Sequence, residues 1–154
     1  MKLLSPPVIR WAVAAMAFLV VMSSFAQARA AEVKFEAVLI WGSNKEKSPD
    51  PNHKAVNPKL EAKLKKLPFK WEHYFEVNRK EFTIASGETK KIAMSKDCEL
   101  KVRRVDAETA EVQLFGKGQL VSKISQKLPK GECLVTGGNA ADSTGWFVVL
   151  HQVD

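Results

Sequence analysis

Apolar and polar residues alternate along most of the chain after residue 31, and this period of two predicts β-strands. In the segment 32–41, one face carries Val33, Phe35, Ala37, Leu39 and Trp41. Similar short runs, separated by turn-forming residues, occur at 69–77, 90–95, 98–105, 109–115, 119–128, 133–138 and 146–153. We therefore expect a mainly β protein of seven or eight strands in meander order. They would form an antiparallel β-sandwich or a partly open barrel.

The apolar pattern changes parity between residues 69 and 84. Phe75 and Val77 lie on one face, whereas Phe82 and Ile84 continue the apolar face from positions of the opposite parity. One extra residue in one strand of a pair produces such a switch. We expect a β-bulge or a break between residues 78 and 81.

Residues 57–67 carry the clearest helix pattern. Asn57 suits the N-cap, and Pro58 suits the first helical position, where a missing N–H costs nothing. Leu60, Leu64 and Leu67 form one apolar stripe, and Pro68 follows it. Because so short a helix is not stable alone in water, we expect the leucine stripe to dock on the sheet.

The segment 43–56, which precedes the helix, has no hydrophobic period and contains two prolines and several turn-forming residues. It predicts a loop. We therefore expect one β-rich domain over 31–154, with a loop-helix insert at 43–68.

Residues 1–30 have the pattern of a secretory signal peptide. A basic start precedes the unbroken apolar run at 11–22, and Ala28 and Ala30 suit cleavage before residue 31. The apolar run is shorter than the roughly 20 residues that span a bilayer. We therefore expect cleavage, export to the periplasm or beyond, and no membrane span in the mature chain.

The positive charge is concentrated in one segment. The chain has 24 basic and 17 acidic residues, and loss of Lys2, Arg10 and Arg29 with the leader leaves a net charge of +4. The segment 43–67 holds seven lysines and three acids, so the excess of the mature chain lies within it. A total of +4 is ordinary and does not indicate nucleic acid.

A basic binding surface is the functional hypothesis for this segment. Its proposed members are Lys45, Lys47, Lys54, Lys59, Lys63 and Lys66. On the helix, Lys59, Lys63 and Lys66 make a stripe beside the leucines, which would face outward once the leucines dock. The alternative is a plain solvated face that only aids solubility. Nucleic acid is not expected, because aromatic residues are not interleaved with the lysines.

Cys98 and Cys133 are the only cysteines. In an exported protein, an even pair predicts a disulfide, here closing a loop of about 35 residues. The alternative is two unpaired thiols.

Motifs of known chemistry are missing from the sequence. It has no G-x-S-x-G, H-E-x-x-H or glycine-rich phosphate loop, so we predict no catalytic residues and no cofactor. The histidines, at 53, 73 and 151, are widely separated, and we expect structural or surface roles and no metal site. Trp41, Trp71 and Trp146 are expected in the core.

Three sequence stretches resemble a family of small secreted bacterial proteins of unknown function. They are IWGSN at 40–44, LPFKWEHYFEVNR at 67–79 and TGWFVVL at 144–150. The resemblance implies export and one small domain, and it supplies no catalytic residues.

These observations favour a non-enzymatic binding or assembly module of the cell envelope, with an anionic envelope component or a protein as partner. Two alternatives stay open. One is a hydrolase that acts on envelope material through an unidentified site, and the other is an inhibitor or accessory protein that presents the loop 43–56.

Overall fold

The computed structural model describes residues 31–153, and the predicted signal peptide lies outside them. Within this range the chain forms nine strands and one helix. The elements are β1 (Glu32–Ser43), β2 (Lys54–Ala55), α1 (Pro58–Leu64), β3 (His73–Ala85), β4 (Thr89–Ala93), β5 (Cys98–Arg104), β6 (Thr109–Gly116), β7 (Gln119–Lys127), β8 (Cys133–Asn139) and β9 (Gly145–Gln152).

The strands form two separate antiparallel sheets, so the sandwich is observed and the barrel is not. The first sheet has the order β2-β3-β1-β9-β8, and the second has the order β4-β5-β6-β7. The meander prediction is confirmed for the second sheet and wrong for the first. There β1 pairs with both β3 and the distant β9, which is central as predicted.

The main core fills the space between the two sheets. The first sheet contributes Phe35, Leu39 and Val148, which alternate with residues that point to its other face. The second sheet contributes Leu100, Val112 and Leu114, which are fully buried. Apolar burial of this extent is the dominant stabilising contribution to such a fold.

A second apolar cluster covers the opposite face of the first sheet. Val38, Ile40 and Val149 project there, and α1 covers them with Leu64, which is 1 % exposed. Leu60 and Leu67 pack against the same cluster, so the predicted docking of the leucine stripe is confirmed. The molecule therefore has three layers, with the helix and its flanking segment on one outer side.

The predicted start of the helix is confirmed. The Asn57 side chain accepts a hydrogen bond from Leu60 N at 2.8 Å, and Pro58 occupies the first turn. Lys65 binds Glu61 at 2.8 Å, as the i,i+4 spacing allows. The helix ends at Leu64, three residues earlier than predicted, and a turn carries the chain to Pro68.

The parity switch has the predicted cause. The register of β1 against β3 shifts between Leu39 and Ile40, which pair with Asn78 and Glu76. Val77 is therefore the extra residue, one position before the predicted interval. It packs against the main core, while Asn78 donates a hydrogen bond to Met94 O at 2.8 Å.

The predicted disulfide is wrong, because Cys98 and Cys133 are both unbonded. Cys98 belongs to the core between the sheets, whereas Cys133 packs with the cluster beneath the helix. The first sheet therefore stands between the two side chains. A disulfide needs its two Cβ atoms within about 4.5 Å, which this arrangement does not offer.

The helical content of residues 31–153 is the short helix α1. The described helix is neither long enough nor apolar enough to cross a bilayer.

Candidate functional site at the helix groove

A concave site lies between α1 and the turn that connects β7 to β8, and we call it the helix groove. Its volume is about 380 Å³. The helix contributes Lys59, Leu60 and Lys63 to one wall, and the turn contributes residues 130–133 to the other. The floor is the outer face of the first sheet, where charged residues interrupt the apolar cluster.

An ion-pair network occupies this floor. Glu36 on β1 is a buried carboxylate, and its Oε1 accepts a hydrogen bond from Arg79 Nη1 at 2.5 Å. The Arg79 guanidinium also binds Glu76 through two hydrogen bonds, of 3.0 and 2.8 Å. This fork lowers the pKa of Glu76 and raises that of Arg79. The network holds one guanidinium between two carboxylates, so the three groups together are net negative.

His151 on β9 completes the floor. Its Nε2 lies 3.4 Å from Glu36 Oε1. Burial lowers the pKa of His151, and the nearby Lys63 and Arg79 cations lower it further, while Glu36 acts in the opposite direction. The imidazole is therefore mainly uncharged at neutral pH and gains its charge only as the solution becomes acidic.

The helix stripe of lysines borders this groove and its continuation. Lys59 and Lys63 line the helix groove itself. Lys63 and Lys66 line an adjoining depression of about 490 Å³, which shares Leu60 and Cys133 with the groove. None of the three lysines forms an ion pair with a described carboxylate. The structure thus brings three of the six predicted lysines to two adjoining concavities, with Lys63 lining both.

The other three predicted lysines lie elsewhere. Lys45 and Lys47 are exposed in the loop after β1, where Lys45 helps to lower the pKa of the Asp142 carboxyl. Lys54 on β2 is opposite Glu76 in the β3 register and does not line the groove. The predicted basic surface is therefore divided into a helix part and a loop part.

Sequence reasoning missed the floor of the groove. Glu36, Arg79 and His151 are far apart in the chain, and only the pairing of β1 with β3 and β9 brings them together. One signal was available, since Glu36 stands on the strand face that Val38 and Ile40 make apolar. A charged residue on a buried face must find a partner, and Arg79 is that partner.

Two of the three tryptophans that we expected in the core pack against it. Trp71 is half-buried and packs against the second apolar cluster, where its ring lies 6.3 Å from that of Phe147 and its Nε1 donates to Ser143 O at 2.9 Å. Trp146 packs against the main core. Among the described residues, no three His, Cys, Asp or Glu side chains form a group that could hold a metal ion.

No protein-family model, curated protein or solved structure matches this chain. The resemblance to small secreted bacterial proteins therefore stays a prediction, and the functional interpretation rests on the geometry of the groove.

Proposed function

We propose that this chain is an exported binding module whose helix groove takes a phosphate or carboxylate group of an anionic cell-envelope component. Export is supported by the leader pattern at 1–30. The observation that carries the proposal is the convergence of Lys59 and Lys63, free of carboxylate partners, on a concavity with His151 and Arg79 on its floor.

The electrostatics favour an anion. Lys59 and Lys63 are exposed on the wall, where an entering anion meets them before it reaches the floor. Below them, the carboxylates of Glu36 and Glu76 more than offset the charge of Arg79, so the attraction for an anion comes from the lysines of the wall. Ammonium groups without fixed partners lose less on binding an anion than those already held in an ion pair.

The same contacts favour binding over hydrolysis. A general base needs a carboxylate or imidazole that is free to accept a proton from the substrate. The Glu36 carboxylate instead accepts a 2.5 Å hydrogen bond from Arg79, and it is 9 % exposed. This carboxylate is committed to the ion pair, and the uncharged His151 imidazole faces the same carboxylate, with its Nε2 3.4 Å from Glu36 Oε1, so we assign the groove a binding role.

The test is retention on anionic vesicles that contain phosphatidylglycerol, as a function of salt concentration. The protein is expressed with its leader and purified after export. We expect the double variant Lys59→Gln/Lys63→Gln to bind several-fold more weakly and with a smaller salt dependence, because two ionic contacts are lost.

The matched control is Lys91→Gln/Lys101→Gln, which removes the same charge from the outer face of the second sheet. These lysines lie directly opposite each other on β4 and β5. Equal losses for both double variants would mean that only the overall charge matters. Unchanged retention in the groove variant would reject the proposal and leave a protein partner as the alternative.

A further inference from the structure

A larger concavity opens between the two sheets at one end of the sandwich, and we call it the end cleft. Its volume is about 660 Å³, and it shares no lining residue with the helix groove. Its apolar lining comes from Leu39, Ile40, Trp41, Val77, Val121 and Trp146. A cleft of this size and lining is typical of a site for a small molecule.

Two tryptophans contribute the large aromatic surfaces of the end cleft. Trp41 on β1 and Trp146 on β9 lie directly opposite each other in the register, and both line the end cleft. Trp41 packs against Phe75, at 5.7 Å between ring centroids, and its ring centroid lies 6.3 Å from that of His53. The Trp41 ring is therefore supported by neighbouring aromatic rings on its own strand pair and in the adjoining loop.

Glycines on the neighbouring strands hold the Trp146 ring in place. A Cβ atom on Gly116 would lie 3.0 Å from the Trp146 ring and 3.2 Å from the Val121 side chain. A Cβ atom on Gly138 would lie 3.7 Å from Val121. The Trp146 ring thus packs closely against backbone that carries no side chain.

Val121 is an exposed part of this apolar wall. Its side chain is 40 % exposed, although the residue is large and hydrophobic. The register of β6 against β7 shifts after Leu114, so that Leu114 pairs with Ser122 and Phe115 pairs with Leu120. Val121 is the extra residue at this shift, whereas its neighbour Leu120 lies on the outer face opposite Phe115. An exposed valine at the mouth of an apolar cleft is a natural contact for the body of an apolar ligand.

The rim is polar and carries charges of both signs. Asp97, Lys117 and Asp142 lie on the loops around the opening, together with His53 and Asn139. The Asp142 carboxylate already accepts hydrogen bonds from Thr144 N and Oγ1, at 3.2 and 2.5 Å. A rim of mixed sign favours a head group that is uncharged or zwitterionic over one with a net charge.

We propose that the end cleft binds a single-chain amphiphile, with its acyl chain between Trp41, Val121 and Trp146 and an uncharged or zwitterionic head group at the loop rim. This site is independent of the helix groove. It makes the protein a carrier or sensor of one lipid molecule, in addition to its contact with an anionic envelope component.

The test uses the neutral apolar dye N-phenyl-1-naphthylamine, whose emission rises when it leaves water. The purified protein should enhance its emission. Monoacylglycerol and lysophosphatidylcholine, kept below their micellar concentrations, should displace the dye at lower concentration than the fatty acid or alkyltrimethylammonium of equal chain length.

Two neighbouring substitutions locate the site. Val121→Phe places a ring in the cleft and should weaken dye binding at least five-fold, whereas Leu120→Phe, on the outer face of the same strand, should leave it unchanged. Both residues are exposed, so both variants should fold, which thermal unfolding checks. Absence of dye binding, equal effects of the two variants, or displacement by saccharides but not by amphiphiles would overturn the proposal.

Discussion

Arg79 shows how one residue holds the helix groove together. Its guanidinium joins Glu36 on β1 to Glu76 on its own strand, and both carboxylates face the second apolar cluster. Removal of the cation would leave a carboxylate that is 9 % exposed without its partner. The cost of breaking a buried pair in this way exceeds the worth of an ordinary surface ion pair.

We expect Arg79→Gln to lower the free energy of unfolding by about 1–3 kcal/mol, because Gln cannot supply the charge or the forked donors. Urea unfolding measures this change. Glu36→Gln/Arg79→Gln should recover part of the loss, since the buried charge is also removed. If Arg79→Gln were as stable as the unaltered protein, the ion-pair network would not contribute to the free energy of unfolding.

His151 makes stability depend on pH. Because burial lowers its pKa in the folded protein below the ordinary 6.5, the unfolded chain takes up the proton at a higher pH. The free energy of unfolding should therefore fall as the pH drops from 7 through 6.5 toward the folded pKa. Loss of stability through Glu76, whose pKa is also lowered, begins only below its ordinary 4.5.

The variant His151→Gln should remove this decline between pH 7 and 5, as measured by urea unfolding at several pH values. His73→Gln is the matched control, since His73 is also half-buried but does not line the groove. A pH profile that neither substitution changes would contradict the assignment.

The two thiols should differ in reactivity. Burial raises the pKa of Cys98 to about 11, so little thiolate forms at neutral pH. Cys133 is half-buried at the edge of the helix groove. We expect a thiol reagent to label Cys133 in the native protein and both residues only after unfolding, with mass spectrometry as the readout. A 2 Da gain in mass on reduction would instead show that Cys98 and Cys133 form a disulfide.

At the scale of elements, the features that could be predicted from the sequence are those set by neighbouring residues, whereas the pairing of distant strands could not be predicted. The capped helix, the bulge near Val77 and the tight turn at 116–118 each follow from a few neighbouring residues. In that turn Lys117 and Gly118 both adopt positive φ, of 49° and 76°, which the glycine tolerates without strain. The pairing of β1 with β9 joins the two ends of the described chain, and no local pattern encodes it.

The helix depends on its docking, so its stability can be tested separately from that of the sheets. Leu64→Ala removes the most deeply buried contact of α1 and should cost about 2–4 kcal/mol. Hydrogen exchange should show faster amide exchange at 58–64, with the main-core strands β5 and β6 less affected. Uniform acceleration throughout the protein would show that the helix unfolds only with the whole domain.

At the scale of the molecule, the count of charges along the sequence indicated which segment carries the basic surface but not how its lysines are arranged in space. The excess of positive charge in 43–67 suggested six lysines acting together, and the fold divides them between helix and loop. It also places Lys91 directly opposite Lys101 on the second sheet, a pair of like charges that a net count cannot show. The floor of the groove depends on contacts between distant strands, so composition could not predict it.

The most direct test of anion binding at the helix groove is a titration with inorganic phosphate, followed by amide chemical shifts. We expect the largest shifts at Lys59 to Lys63, at 130–133 and at His151, with saturation weakened in the Lys59→Gln/Lys63→Gln variant. Shifts centred on Lys91 and Lys101, or none above the effect of salt, would contradict the proposed function.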